Sequence, residues 1–288
     1  MLRQTVDEIA KQAGANEVAV AFYDWETSTA WSLRAERSFH AASTIKLAVL
    51  LALVDAVAEG RFEWDSWLHV RNRFASRVDA EPFRIARERD ADSVVHAEIG
   101  KLMRVSALAE RMIVSSSNLA TNLLLDLIGV REAREALEKL GLQNGIDVVR
   151  GVEDHKAHEA GIDNRTTADG LLSLLRLVHE GHGIGAEGSK QMLDVLSRQE
   201  LQSATRLGLP ESVRAKARVA NKTGEISTAA HDAGLVFLPD RRPFALVVLS
   251  EWPAGNGNRQ AALGEVVAAV YRHFVEPSAT VRLVEAPA

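Results

Sequence analysis

The segment AASTIKLAVLLALVDAVA, Ala41 to Ala58, decides the fold. It is apolar nearly all round, a pattern that fits a helix enclosed by protein on every side. Its unbroken apolar run, Leu47 to Val54, has eight residues, far short of the ~20 that a bilayer span needs. An enclosed helix needs other helices around it, and the sequence supplies them. Helical periodicity recurs over Ser106 to Val114, Leu119 to Ile128, Arg131 to Leu140 with Gly141 as its stop, Thr167 to His179 closed by Gly181, and Ser189 to Gln199.

Strand patterns lie outside this helical block. Val18 to Phe22 reads as a buried strand, with Ala30 to Leu33 as its hairpin partner across the polar turn Asp24 to Ser28. Val219 to Glu225 is a further strand, and His231 to Leu238 pairs with Phe244 to Ser250 across Pro239 to Pro243. A capping box, Thr5-x-x-Glu8, opens a first helix that fades at Gly14, and Asn258 to Phe274 forms a last one. The expected fold is α/β of the α+β kind. An antiparallel sheet built from both chain ends is flanked by helices, with an all-α domain inserted. The α/β domain would be discontinuous, 1–40 with 198–288, the all-α domain would span 41–197, and the active site would lie in the cleft between them. From Trp67 to Val95 the chain is charged and irregular. Its arginines, Arg71 to Arg89, are offset by Asp79, Glu81, Glu88 and Asp90, which reads as a solvated excursion.

The 288 residues are 47% hydrophobic and 25% charged, an ordinary globular composition that excludes disorder, collagen and coiled coil for the whole chain. A net charge of −5 is too mild to steer a charged partner strongly, and no basic stripe marks a nucleic-acid binder. With no cysteine, thiolate catalysis, disulfides and cysteine-held metals are excluded. The first eight residues hold no apolar stretch of signal-peptide length, so the sequence as given points to the cytoplasm, or to the periplasm or exterior if a leader has been removed.

Lys46 stands out in the apolar segment. Positions i and i+3 share a helix face, so its amine can reach the Ser43 hydroxyl. Burial disfavours the charged ammonium and can turn a lysine into a base near neutral pH, which a serine nucleophile requires. The plain alternative is a lysine snorkelling to solvent. Ser115-Ser116-Ser117-Asn118 joins two helical patterns and would project from a turn; helix capping is its plain alternative. Lys222-Thr223-Gly224 places a cation, a hydroxyl and a glycine on one strand, suited to a substrate carboxylate and an acyl group laid alongside. Otherwise it is a strand end with a turn glycine.

Ser43-x-x-Lys46, Ser116-x-Asn118 and Lys222-Thr223-Gly224, in this order, resemble the signature of serine β-lactamases and penicillin-binding proteins. The chain resembles class A β-lactamases and related serine hydrolases over nearly its whole length, including the nucleophile segment Phe39 to Lys46 and the helix start Ser116 to Leu125. The resemblance implies an acyl-enzyme on Ser43, with Lys46 assisting its deprotonation and Ser116 relaying a proton to the leaving nitrogen. Asn118 would bind a substrate amide, Lys222 and Thr223 a substrate carboxylate, and the N–H groups of Ser43 and Glu225, beside Gly224, would form the oxyanion hole. The implied partner is a β-lactam or another small carboxylate-bearing amide or ester. No cofactor, metal, nucleic acid or membrane is implied. A D-Ala-D-Ala peptidase, a small-molecule esterase, or a β-lactam binder that acylates without turnover are the alternatives.

Departures from the family pattern concern the second half-reaction. The family's deacylating glutamate is followed four residues later by asparagine; here Glu153 is followed by Ala157, and Asp154 and Glu159 compete as the base. Ser117 replaces the aspartate of Ser-Asp-Asn, and Glu225 places an acid where it would repel anionic substrates. Gly183 to Gly188 fits Gly-x-Gly-x-x-Gly but follows a helix, so a dinucleotide site is not expected. His155/His158 and His179/His182 lack a third ligand for a metal.

Overall fold

The computed structural model describes residues 1–255 and 257–276. Helix α1 (Leu2–Ala13) begins earlier than the expected capping box: Met1 is its cap residue, and Thr5 donates its hydroxyl back to the Met1 carbonyl, 3.2 Å away. Gly14, at φ 79°, takes the left-handed position that ends it. Strands β1 (Glu17–Asp24) and β2 (Thr29–Leu33) form the expected hairpin. After β3 (Phe39–His40), the segment Ala41 to Ala58 starts as a 3-10 turn, Ala42–Ile45, and relaxes into α2 (Lys46–Ala58). Every residue of α2 from Lys46 to Ala56 is buried, as its uniform apolarity required.

The charged stretch that follows carries β4 (Trp67–His69), β5 (Phe74–Ala75), β6 (Pro82–Phe83), a 3-10 turn Arg87–Arg89, α3 (Val94–Ala97) and β7 (Leu102–Arg104). Helices α4 (Val105–Val114), α5 (Asn118–Ile128) and α6 (Val130–Lys139) come next, then β8 (Ile146–Asp147), α7 (His155–Glu159) and β9 (Arg165–Thr166). Helices α8 (Ala168–Glu180), α9 (Gly185–Leu196), α10 (Ala204–Gly208) and α11 (Glu211–Arg214) lead into β10 (Arg218–Ile226), β11 (Ala229–Phe237), β12 (Phe244–Glu251) and α12 (Arg259–Phe274). Among the described residues no helix is long and apolar enough to cross a membrane.

The five-stranded sheet has the order β10-β11-β12-β1-β2, antiparallel throughout, so it is built from both ends of the sequence. Period-two alternation splits its side chains between two cores. Val18, Val20, Phe22, Leu246 and Val248 pack towards α1 and α12. Ala19, Ala21, Ala245, Val247 and Leu249 face the helices around α2. Alanines predominate on that face, which lets α8 lie close against the sheet.

Most of the stretch Trp67 to Val95 is exposed, as its charges suggested, but part of it turns inward. Asp90 and Asp92 are buried, and Ser76 donates its hydroxyl to Asp154 Oδ1 at 2.9 Å. Asp90 and Asp92 bond to backbone donors and side chains of the helical block instead of to the stretch's own arginines.

Candidate active site

A cleft of about 870 Å³ is lined by residues that include Ser43, Ser116, Asn118, Glu153, Thr223 and Glu225. The nucleophile turn is built first. Ala42 adopts φ 45°, a left-handed value that non-glycine residues rarely take. Three hydrogen bonds hold the chain there: Ala42 N–H donates to His40 Nδ1 (3.0 Å), Ala41 N–H to the Asn164 carbonyl (2.9 Å), and His231 Nε2 to the His40 carbonyl (2.8 Å). Ser43 therefore sits in the first turn of a helix, where backbone N–H groups have no intrahelical partner. Strand β10 closes on this turn at Gly224, where a Cβ would lie 3.1 Å from Ser43 N and 3.0 Å from Thr44 N. Any Cβ here would crowd the amides of the turn, so glycine at 224 lets the strand lie this close.

Lys46 is fully buried. Its Nζ donates to the Ser116 carbonyl (2.6 Å), Ser116 Oγ (3.1 Å) and Asn118 Oδ1 (2.8 Å). Burial pushes its pKa down from 10.5 to about 7, against the opposing attraction of Asp90 and Glu153. The direct Ser43–Lys46 hydrogen bond expected from their spacing is not formed among the described residues; the amine reaches across to the Ser116 turn. Ser116 is itself held at φ 59°, so it and Ala42, the residue before Ser43, both occupy rare backbone conformations.

Helix α5 delivers Asn118. Ser117 is its N-cap, its hydroxyl oxygen accepting from Ala120 N–H at 3.1 Å. The Asn118 side chain is fixed at both ends, its Oδ1 by Lys46 and its Nδ2 by the Arg89 carbonyl, 3.0 Å away.

Of the three acids proposed for deacylation, Glu153 and Asp154 both line the cleft. Glu153 is held at φ 60° on a loop that Asn122 clamps through the N–H (2.8 Å) and carbonyl (2.9 Å) of Val152. Arg89 Nε donates to its carboxylate, and His155 Nε2 lies 3.4 Å away. Asp154 is spent on structure: it accepts from Ser76 Oγ, Arg77 N–H and Ala157 N–H, capping α7. Glu159 is exposed at the far end of α7, away from the lining of the cleft.

Lys222 is fully buried, donating to the Thr223 carbonyl at 2.9 Å, so it stands behind the cleft wall that Thr223 forms. Burial and the charge of Lys46 hold its pKa well down, and Asp232 opposes them. Glu225 projects into the cleft, and its pKa is raised by partial desolvation, with Arg259 opposing.

One grouping that neither histidine pair suggested is His40, His158 and Asp163, whose ligand-type atoms lie within 4.8 Å of one another. His40 Nδ1 accepts from Ala42 N–H, which in the neutral ring leaves the proton on Nε2, the nitrogen facing Asp163 at 3.5 Å. Arg150 Nη2 already binds Asp163 Oδ1 at 2.7 Å. A metal would have to displace that proton and this guanidinium, so the group works as a hydrogen-bonded brace.

The model of the Beta-lactamase enzyme family matches residues 1–274, and the chain belongs to that family. It is 26% identical over 233 residues to a protein of Bacteroides uniformis named "Beta-lactamase", covering 76% of this chain and 74% of the relative. Its fold is shared with PBP-A (TM-score 0.79, 23% identity, 96% of each chain). It is shared also with a variant of the class A β-lactamase of the last common ancestor of Gram-negative bacteria (TM-score 0.81, 24% identity, 96% of this chain and 99% of that one). A β-lactamase from Chitinophaga pinensis superposes with TM-score 0.78 at 23% identity over 94% and 98% of the chains. Family and fold make this protein a hydrolase of the serine β-lactamase type.

Proposed function

We propose that the protein opens β-lactams, or small carboxylate-bearing amides and esters, through an acyl-enzyme on Ser43. The observation that carries this reading is the buried Lys46 amine, poised near neutrality and 3.1 Å from Ser116 Oγ. Ser43 Oγ attacks the carbonyl carbon and its proton passes to the neutral amine. The oxyanion accepts from the N–H groups of Ser43 and Glu225, each such donor being worth about 3 kcal/mol. Ser116 hands the proton to the leaving nitrogen as the C–N bond breaks. Thr223, with the buried Lys222 behind it, faces the substrate carboxylate. Water then releases the acyl group with Glu153 as base. PBP-A has been captured, as a mutant, in an acyl-enzyme complex with penicillin-G, a precedent on this fold for the adduct proposed here.

A second reading, slow or absent turnover, is favoured by the pairing of Glu153 with Arg89 and by the buried Ala157 where the family carries asparagine. Intact-mass spectrometry after exposure to penicillin-G and nitrocefin tests both. Rapid hydrolysis supports turnover, and a lasting adduct on Ser43 supports the binder. Full labelling of Ser43→Ala would refute the site altogether.

A further inference from the structure

We propose that Asp90 is a positioning residue for catalysis: carried in by the segment between α2 and α4, its carboxylate supplies at the start of α5 the acid that Ser116-Ser117-Asn118 lacks. The inference rests on the acylation reading above. Asp90 has a side chain with no exposed surface. One oxygen accepts from Asn118 N–H (3.0 Å) and Asp92 N–H (3.1 Å). The other accepts from Leu119 N–H (2.9 Å) and Ser117 Oγ (3.2 Å) and meets His96 Nε2 at 3.2 Å.

The N–H groups of Asn118 and Leu119 belong to the first turn of α5, where no carbonyl of the helix can serve them and where a negative charge is favoured. Ser117 cannot meet that need. Its hydroxyl oxygen already serves Ala120, it carries no charge, and its own proton goes to Asp90. The neighbouring Arg89 carbonyl takes the Asn118 side chain. Two adjacent residues of one segment thus fix the backbone and the amide of the asparagine that holds Lys46.

Asp90 also acts through charge. The charged groups facing Lys46 are Asp90, Glu153 from the loop before α7, and Lys222 from β10; the two acids favour the ammonium and Lys222 opposes it. Neutralising Asp90 therefore lowers the Lys46 pKa further, by about one unit for a charge pair of this kind.

The experiment compares the parent with Asp90→Asn and Asp90→Asn/Ser117→Asp, following the Lys46 amine by carbon-13 NMR titration and Ser43 acylation by fluorescent penicillin between pH 5 and 9. In Asp90→Asn the Lys46 midpoint and the acid limb of acylation both move down by about one unit, and the plateau falls about tenfold or more as Asn118 loses its anchor. The double variant regains most of both. A folded Asp90→Asn with an unmoved Lys46 midpoint and a parental plateau overturns the proposal. If Asp90→Asn does not fold, the double variant decides: folding and acylation support the proposal, and failure of either overturns it. A parent chain that penicillin does not label refutes the acylation reading alone, because the NMR midpoint still reports on Asp90.

Discussion

Replacing Gly224 by alanine probes the nucleophile turn without removing a polar group. The added Cβ would lie 3.0 Å from Thr44 N, 3.1 Å from Ser43 N and 3.1 Å from Thr44 Cγ2, whereas relaxed contacts of this kind sit at about 3.5–4.0 Å. Two of these three atoms are backbone, and the turn they belong to is tied down through Ala41, Ala42 and the His40 carbonyl. Strand and turn must therefore separate by about 0.5 Å, and the two proposed oxyanion donors separate with them. Losing one such donor outright costs about 10²–10³ in rate, and a 1 Å misplacement about 10². Half an ångström should then slow acylation by about tenfold. The overpacking itself costs about 1–3 kcal/mol, a fall of a few degrees in Tm. The assay is the second-order rate of Ser43 labelling by a fluorescent penicillin, measured beside a thermal melt. A folded Gly224→Ala that labels within twofold of the parent would refute the argument that this close approach sets the acyl site.

Three further outcomes follow from the same geometry. His231 is fully buried, and burial lowers its pKa from 6.5 to about 4, so on acidification the unfolded chain takes up the proton first. The stability this group contributes is complete above about pH 6.5 and falls by about 3 kcal/mol towards pH 4; urea midpoints across that window should drop more steeply for the parent than for His231→Gln, and parallel slopes would dismiss the account. Glu225→Ser should raise acylation by anionic penicillins about three- to tenfold at low salt, with the gain shrinking as salt screens the lost repulsion; a salt-independent rate equal to the parent's would clear Glu225 of any selective role. Glu153→Gln should prolong the acyl-enzyme at least tenfold while acylation stays within about twofold, and unchanged release measured by mass spectrometry would remove Glu153 from deacylation.

Much of this arrangement is legible in the sequence because local patterns dominate it. Period-two strands at the two ends, an enclosed apolar helix and stop glycines at 141 and 181 place the sheet and the helical block without reference to distant contacts. Lys46 is visible because a cation in an apolar run has few explanations. What escapes is long-range. Nothing local tells that Asp90 serves Ser117, Asn118 and Leu119, or that Asn122 clamps the loop of Glu153, because those partners meet only after the chain has folded back on itself. The charge balance of the 67–95 stretch misleads for the same reason. Its acids look neutralised by neighbouring arginines, yet Asp90 and Asp92 turn inward to helix N–H groups and to Ser115. Lys222 likewise reads as a strand cation suited to a substrate carboxylate, and only tertiary packing buries it behind Thr223.

The pairing of β1 with β12 joins Glu17 to Glu251 and Asp24 to Phe244. During synthesis, then, the β1 edge that β12 later covers stands open, with a row of unpaired amides, while more than two hundred further residues emerge, a hazard for sticking to other nascent chains. Gly224 arrives with the same late strands, so the cleft is completed last. On the proposed mechanism, a ribosome-bound chain stopped short of residue 220 would hold Ser43, Lys46 and Ser116 and still be unable to acylate.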